Sequence, residues 1–113
     1  MKRSRHAVIG LGPTLVSLLP FSTVLAADLT AERQDQLERL LLQDCGSCHG
    51  MRLTGGLGPA LTRDAIAAKS RDTLIATVTH GRSDTAMPGW SALLSEQDIA
   101  WLVDRLLQGK PTP

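Results

Sequence analysis

The segment Cys45-Gly46-Ser47-Cys48-His49 constrains this chain more than anything else in it. Both cysteines of the protein lie there, three positions apart, with a histidine directly after the second. That is the pattern by which a c-type haem is attached. Carried on one turn of helix, two thiols reach the two vinyl groups of a porphyrin and form thioethers with them. The next residue then lies under the iron, where the His49 ring can act as proximal ligand. Two other chemistries use such a cysteine pair. A thioredoxin-like dithiol needs a βαβ setting, and no β-rich run lies nearby. A zinc site needs four spaced ligands, and beyond the N-terminal region only His80 is left to supply one. The pattern therefore predicts one covalently bound haem c, with iron, attached through Cys45 and Cys48 and ligated by His49.

The N-terminus points to export. Met1-Lys2-Arg3-Ser4-Arg5-His6 is a basic n-region, and an apolar run follows from Ala7 to Leu19. Pro20 breaks the run, and Val24-Leu25-Ala26-Ala27 offers small residues for cleavage. The apolar core is short and contains Gly10, Gly12 and Pro13, so it reads as a secretory signal peptide rather than a membrane span. An uncleaved N-terminal anchor is the alternative. Arg3-Ser4-Arg5 is not a twin-arginine pair, which favours the general secretion route. The expected organisation is a signal peptide at residues 1–27 and a monohaem domain at 28–113, with no membrane span after cleavage.

The domain so defined keeps nine basic residues against eleven acidic ones, a net charge of −2. No basic patch suggests nucleic-acid binding. A domain of this size has a marginal core of its own, and Trp90 and Trp101 are its only aromatic residues. A large, flat, apolar cofactor held by two covalent bonds would fill that deficit, as small scaffolds need.

Helical periodicity runs through the domain, with no strand signal and no internal repeat, so the fold class expected is all-α. Thr30 is an N-cap, Glu32 sits in the first turn, and Leu37, Leu40 and Leu41 recur on one face. Continued, that face reaches Asp44 and Cys45 and delivers the chain to the cysteine motif. Thr54-Gly55-Gly56-Leu57-Gly58-Pro59-Ala60 is a loop in which backbone itself is the material, permitting close approach to something flat. Thr62 or Ser70 can each cap a short helix, with Ile66 on the first and Leu74, Ile75 and Val78 facing inward on the second. Gly81 is a natural stop for the latter. Ser95 and Asp98 form a capping-box pair, Leu94 and Ile99 a hydrophobic staple, and Gly109 with Pro111 ends the last helix. Ile99, Leu102, Val103 and Leu106 make its buried stripe.

The second axial position has two candidates. Met87 lies in a loop, far enough along the chain from His49 to reach the opposite haem face, and Pro88 after it fixes the backbone. A thioether favours reduced iron and raises the potential, as suits an electron carrier. His80, seven residues earlier at a helix end, is the alternative, since imidazole is also a good ligand. Met51, two residues from His49, cannot cross the ring.

With these residues in place, the chain resembles the class I c-type cytochromes, and among them the small periplasmic cytochrome c55X group of the haem d1 (cytochrome cd1) nitrite reductase system. The likeness is carried by CGSCHGMRLTGGLGPALT, THGRSDTAMPGW and LLSEQDIAWLVDRLL. It implies about four helices wrapped around one haem, the first and last crossing beside it. It also implies that the Pro59 carbonyl accepts from His49 Nδ1, that Trp90 lies near the haem edge or a propionate, and that Trp101 holds the aromatic position of the final helix. One departure stands out: the first helix offers leucines where many class I cytochromes place an aromatic.

The function implied is electron transfer rather than enzymic catalysis, in the periplasm, with cytochrome cd1 nitrite reductase as the redox partner. An accessory role, exchanging electrons with an enzyme of haem d1 biosynthesis or insertion, is a second reading. A gas-binding haem with an open iron position is a third, should Met87 not ligate.

Overall fold

The computed structural model describes residues 28–109 together with Gly12, so the signal peptide expected at 1–27 lies, that glycine apart, outside the described residues. Regular structure within them is entirely helical: α1 (Ala31–Leu40), a π-helical turn (Leu41–Cys45), α2 (Gly46–His49), α3 (Arg63–Ile66), α4 (Arg71–His80) and α5 (Glu96–Leu107). The first three run on without a break, so the described chain forms four helical rods.

Local chemistry sets the rod ends. Thr30 is extended, and its hydroxyl accepts from the Arg33 backbone N–H at 3.2 Å, satisfying one of the free donors of the first turn. Ser70 does the same for α4 by accepting from Thr73 N–H at 3.1 Å. Thr62 precedes α3 without a side-chain cap bond, so both expected caps begin helices and only one uses its hydroxyl. The α5 capping box is complete: Asp98 N–H donates to Ser95 Oγ at 3.1 Å, and Ser95 N–H donates to Asp98 Oδ2 at 3.0 Å. Leu94 and Ile99 are both buried across that start, as a staple requires.

The first rod differs from a straight continuation of its apolar face. At Leu41–Cys45 the helix widens into a π turn, which admits one extra residue. At 3.6 residues per turn, one residue turns everything after it by about 100°. Asp44 consequently faces solvent, while Cys45 is half-buried. The apolar spacing carries no signature of this widening, because Leu37 and Leu41 still lie on one face before it takes effect.

The core sits between the rods. Leu37 and Leu41 from the first, Ile66 from α3, Leu74 from α4 and Ile99, Leu102, Val103 and Leu106 from α5 close around Leu53 and Leu94. Each fully buried leucine contributes about 1.5–3 kcal/mol. Helix α5 is the common partner, packing against α1, α3 and α4. In place of an aromatic, α1 brings leucines and two ion pairs to that crossing. Arg33 donates to both Asp98 oxygens at 3.0 and 2.8 Å, and Arg105 donates to both Glu38 oxygens at 2.8 and 3.2 Å. Asp98 is 5% exposed, and the Arg33 guanidinium, opposing the effect of burial, holds its carboxyl well below the usual carboxylate range. A third pair, Arg71–Asp104, ties α4 to α5 at the surface, where such pairs are worth at most about 1 kcal/mol.

Candidate haem site

Cys45 ends the π turn, and Gly46 to His49 form the single helical turn α2. The Ser47 hydroxyl donates back to the Asp44 carbonyl at 2.7 Å and ties this turn to the one before. Cys48 is exposed and Cys45 half-buried. Burial, helped by the neighbouring Asp44 carboxylate, pushes the Cys45 thiol up to about 11. A redox-active dithiol needs the opposite, a thiol lowered toward neutrality, and the described residues offer no strand for the βαβ setting. Among the described residues, no three His, Cys, Asp or Glu side chains gather as metal ligands would.

His49 is 7% exposed, and its Nδ1 lies 2.6 Å from the Pro59 carbonyl oxygen. A carbonyl can only accept, so Nδ1 carries a proton, and in the neutral ring the lone pair is then on Nε2. Every fully enclosed side-chain nitrogen or oxygen among the described residues has a partner. Among the described residues no hydrogen-bond partner meets Nε2, which is therefore not fully enclosed. The loop after α2 is laced back onto it: Gly55 N–H donates to the His49 carbonyl at 2.8 Å, and Gly58 N–H to the Cys48 carbonyl at 2.8 Å. Gly58 then lies flat against the imidazole. A Cβ there would stand 2.8 Å from Cε1 and 2.9 Å from Nδ1 of His49, a separation that carbon atoms do not tolerate. The close approach expected of this glycine-rich stretch is therefore made first to the His49 ring itself.

These features fit a haem. Two thiols and a tautomerically fixed imidazole occupy consecutive turns of one rod. Cys45, Leu61, Ile75, Val78 and Trp90 pack only partly against the core, leaving apolar surface. Met51 and Leu57, flanking the motif, are 64% and 95% exposed.

The other candidates lie on separate elements. Met87 is half-buried in the loop after α4; its N–H donates to the Thr85 hydroxyl at 3.3 Å, and its carbonyl accepts from Arg82 N–H at 3.2 Å. His80 is the last residue of α4 and is exposed. Trp90 is half-buried, with its N–H donating to the Val78 carbonyl at 2.9 Å. His49 and Pro59 are thus joined directly, the Cys48 carbonyl holds the same loop through Gly58, and Cys45 lies one turn earlier on the same rod. Gly58 and Thr85 have roles that the sequence did not single out. A glycine one residue before the ring's acceptor was the available signal for the first; the second has none, because a loop threonine resembles any other.

Residues 32–104 match the family model described as "Cytochrome C oxidase, cbb3-type, subunit III". The chain is 69% identical to cytochrome c55X of Stutzerimonas stutzeri over 113 residues, all of both chains. It also resembles the solved structure of the c-type cytochrome NirC, with 61% identity and a TM-score of 0.73 over 75% of this chain and all of that one. A further likeness is to dihydro-heme d1 dehydrogenase NirN, solved in complex with DHE. There the identity is 32% and the TM-score 0.61, over 66% of this chain but only 16% of that one.

Proposed function

Because the chain belongs to the cytochrome c55X family of c-type cytochromes, we propose that it is a periplasmic one-electron carrier to cytochrome cd1 nitrite reductase. A c-type cytochrome holds its haem covalently; here one haem c is attached through Cys45 and Cys48 after removal of residues 1–27. When bound, the haem would supply one-electron chemistry between ferric and ferrous iron. The chain's own part is to grip and orient. His49 would present Nε2 to the iron, and its Nδ1–H bond to Pro59 at 2.6 Å fixes the tautomer and the orientation of the ring. Met87 presents its thioether as distal ligand, with His80 as the competing candidate. With His49 and Met87 both holding the group in either redox state, rearrangement would be small and no substrate site would be needed. Met51 and Leu57 keep an apolar edge open beside the motif for partners. Encounters there should be weak and small in area, as redox encounters are.

The observation that carries this reading is the His49 ring: buried, tautomerically fixed and immediately after the only two cysteines. The test is stopped-flow mixing of the reduced holoprotein with purified cd1 nitrite reductase. Rapid oxidation of this protein by the enzyme is expected; no exchange on a catalytic timescale would exclude the donor role. A second reading has its own support, the likeness of this chain to a limited part of NirN. On that reading it exchanges electrons with a haem d1 biosynthetic enzyme, and the same experiment run with such an enzyme separates the two. Met87→Ala tests the distal ligand: the sulfur–iron charge-transfer band of the ferric protein should vanish, and a retained band would transfer the role away from Met87.

A further inference from the structure

The loop that carries Met87 is closed at its base by backbone against backbone. Gly81 has φ +71°, and a Cβ on it would stand 2.5 Å from the Met87 carbonyl oxygen and 2.7 Å from Gly89 N. A Cβ on Gly89 would stand 2.8 Å from the Thr79 carbonyl. The outgoing and returning legs therefore touch, and Trp90 N–H seals the base by donating to Val78 O at 2.9 Å. Inside the loop one side chain joins the two legs. The Thr85 hydroxyl donates to the Arg82 carbonyl at 2.8 Å and accepts from Met87 N–H at 3.3 Å. The Thr85 backbone N–H reaches the same Arg82 carbonyl at 3.3 Å. Thr85 is exposed, yet its hydroxyl meets backbone groups of both legs.

We infer that Thr85 is a positioning residue for Met87, its hydroxyl holding the backbone of residue 87 so that the thioether stays against the iron. The inference rests on Met87 being the distal ligand. A methionine has three rotatable side-chain bonds and cannot aim its sulfur unaided, so aim must come from the backbone. Replacing the sulfur by an external ligand would let the loop swing away. The swing breaks the two bonds of the Thr85 hydroxyl, which therefore oppose displacement.

The test is a titration of the ferric holoprotein with imidazole, followed by absorbance, in the parent chain and in Thr85→Val, Thr85→Ser, Met87→Ala and the Thr85→Val/Met87→Ala double variant. Losing the hydroxyl should tighten imidazole binding about tenfold, the weight of one good hydrogen bond, and weaken the sulfur–iron band. Thr85→Ser should restore both. In the Met87→Ala background the Thr85 change should have no further effect, because the bond it guards is gone. If Thr85→Val titrates like the parent while Met87→Ala binds more tightly, Met87 remains the ligand and the role given to Thr85 is wrong. An equal Thr85→Val effect in both backgrounds makes it a general structural residue and also overturns the inference. If parent and Met87→Ala titrate alike, the Met87 reading has failed and this inference fails with it.

Discussion

Gly58→Ala is the substitution that most directly probes the grip on His49. The backbone of residue 58 can accept alanine; the obstacle is space. The new methyl would lie 2.8 Å from Cε1, 2.9 Å from Nδ1 and 3.4 Å from Nε2 of the ring. Carbon contacts settle at about 3.5–4.0 Å, so ring and loop must part by about 0.7 Å. Neither side is free to move. The loop is held by the Gly58 N–H bond to Cys48 O at 2.8 Å, and the ring by its 2.6 Å bond to the carbonyl of Pro59, the very next residue. Parting them carries the Nδ1–O distance past the usual range of about 2.7–3.2 Å. Overpacking of this kind costs about 1–3 kcal/mol, and the lost hydrogen bond adds about 1 kcal/mol.

The variant should therefore lose about 2–4 kcal/mol of stability in urea denaturation of the holoprotein followed at the haem absorbance. Its reduction potential should rise, since an imidazole without its Nδ1 acceptor is a weaker donor to ferric iron. Gly46→Ala is the control. It lies between the two cysteines, yet its Cβ would meet nothing nearer than 3.7 Å. In a helical position that change is expected to be neutral or stabilising by about 0.5–1 kcal/mol. Should Gly58→Ala match Gly46→Ala in both stability and potential, the Gly58–His49–Pro59 clamp is not what positions the ring.

Asp98→Ala removes two guanidinium bonds and half of a capping box, and should cost about 3 kcal/mol in urea melts, against less than about 1 kcal/mol for Arg71→Ala at the exposed pair. Because the native Asp98 carboxyl titrates below the usual range, its contribution is full above the unfolded value of about 3.9 and is lost as pH falls toward the native one. Asp98→Asn should accordingly flatten the acid limb of the stability–pH curve below about pH 4, and an unchanged limb would contradict the assignment. Leu57→Asp, at a 95% exposed position, should leave stability within about 0.5 kcal/mol while slowing electron exchange with cd1 nitrite reductase several-fold in stopped flow; equal rates would remove Leu57 from the docking edge.

The helices were legible in the sequence wherever one side chain does a local job. Thr30, Ser70 and the Ser95–Asp98 box cap the helices they precede, and Gly81 and Gly109 adopt positive φ where α4 and α5 stop. The buried stripe of α5 follows from spacing alone, as does the burial of Leu37 and Leu41. What could not be read depends on partners distant in the chain. Arg33 meets Asp98 across 65 residues, and Arg105 meets Glu38 across 67, so neither pair has a local signature. The π turn escaped for a different reason: it changes hydrogen-bond register without changing residue type. At the site, the motif announced its own chemistry, whereas the contact of Gly58 with the imidazole needed the loop folded back over α2.

These two kinds of feature meet in the first rod. Residues 31–49 form one uninterrupted helical run, so whatever fixes α1 also fixes the cysteines and His49 at its far end. The chain secures α1 through α5: Leu37 and Leu41 enter the same core as Ile99 and Val103, and two bidentate ion pairs lie across the contact. The π turn then converts that fixed axis into the facing the motif needs, placing Cys45 half-buried and His49 inside. On this account the capping box of α5 belongs to the haem site as well as to its own helix, because Asp98 both starts α5 and holds Arg33. Loosening Asp98 should therefore disturb His49 through the rod, and its ring, held to the Pro59 carbonyl at Nδ1, is where that disturbance would register.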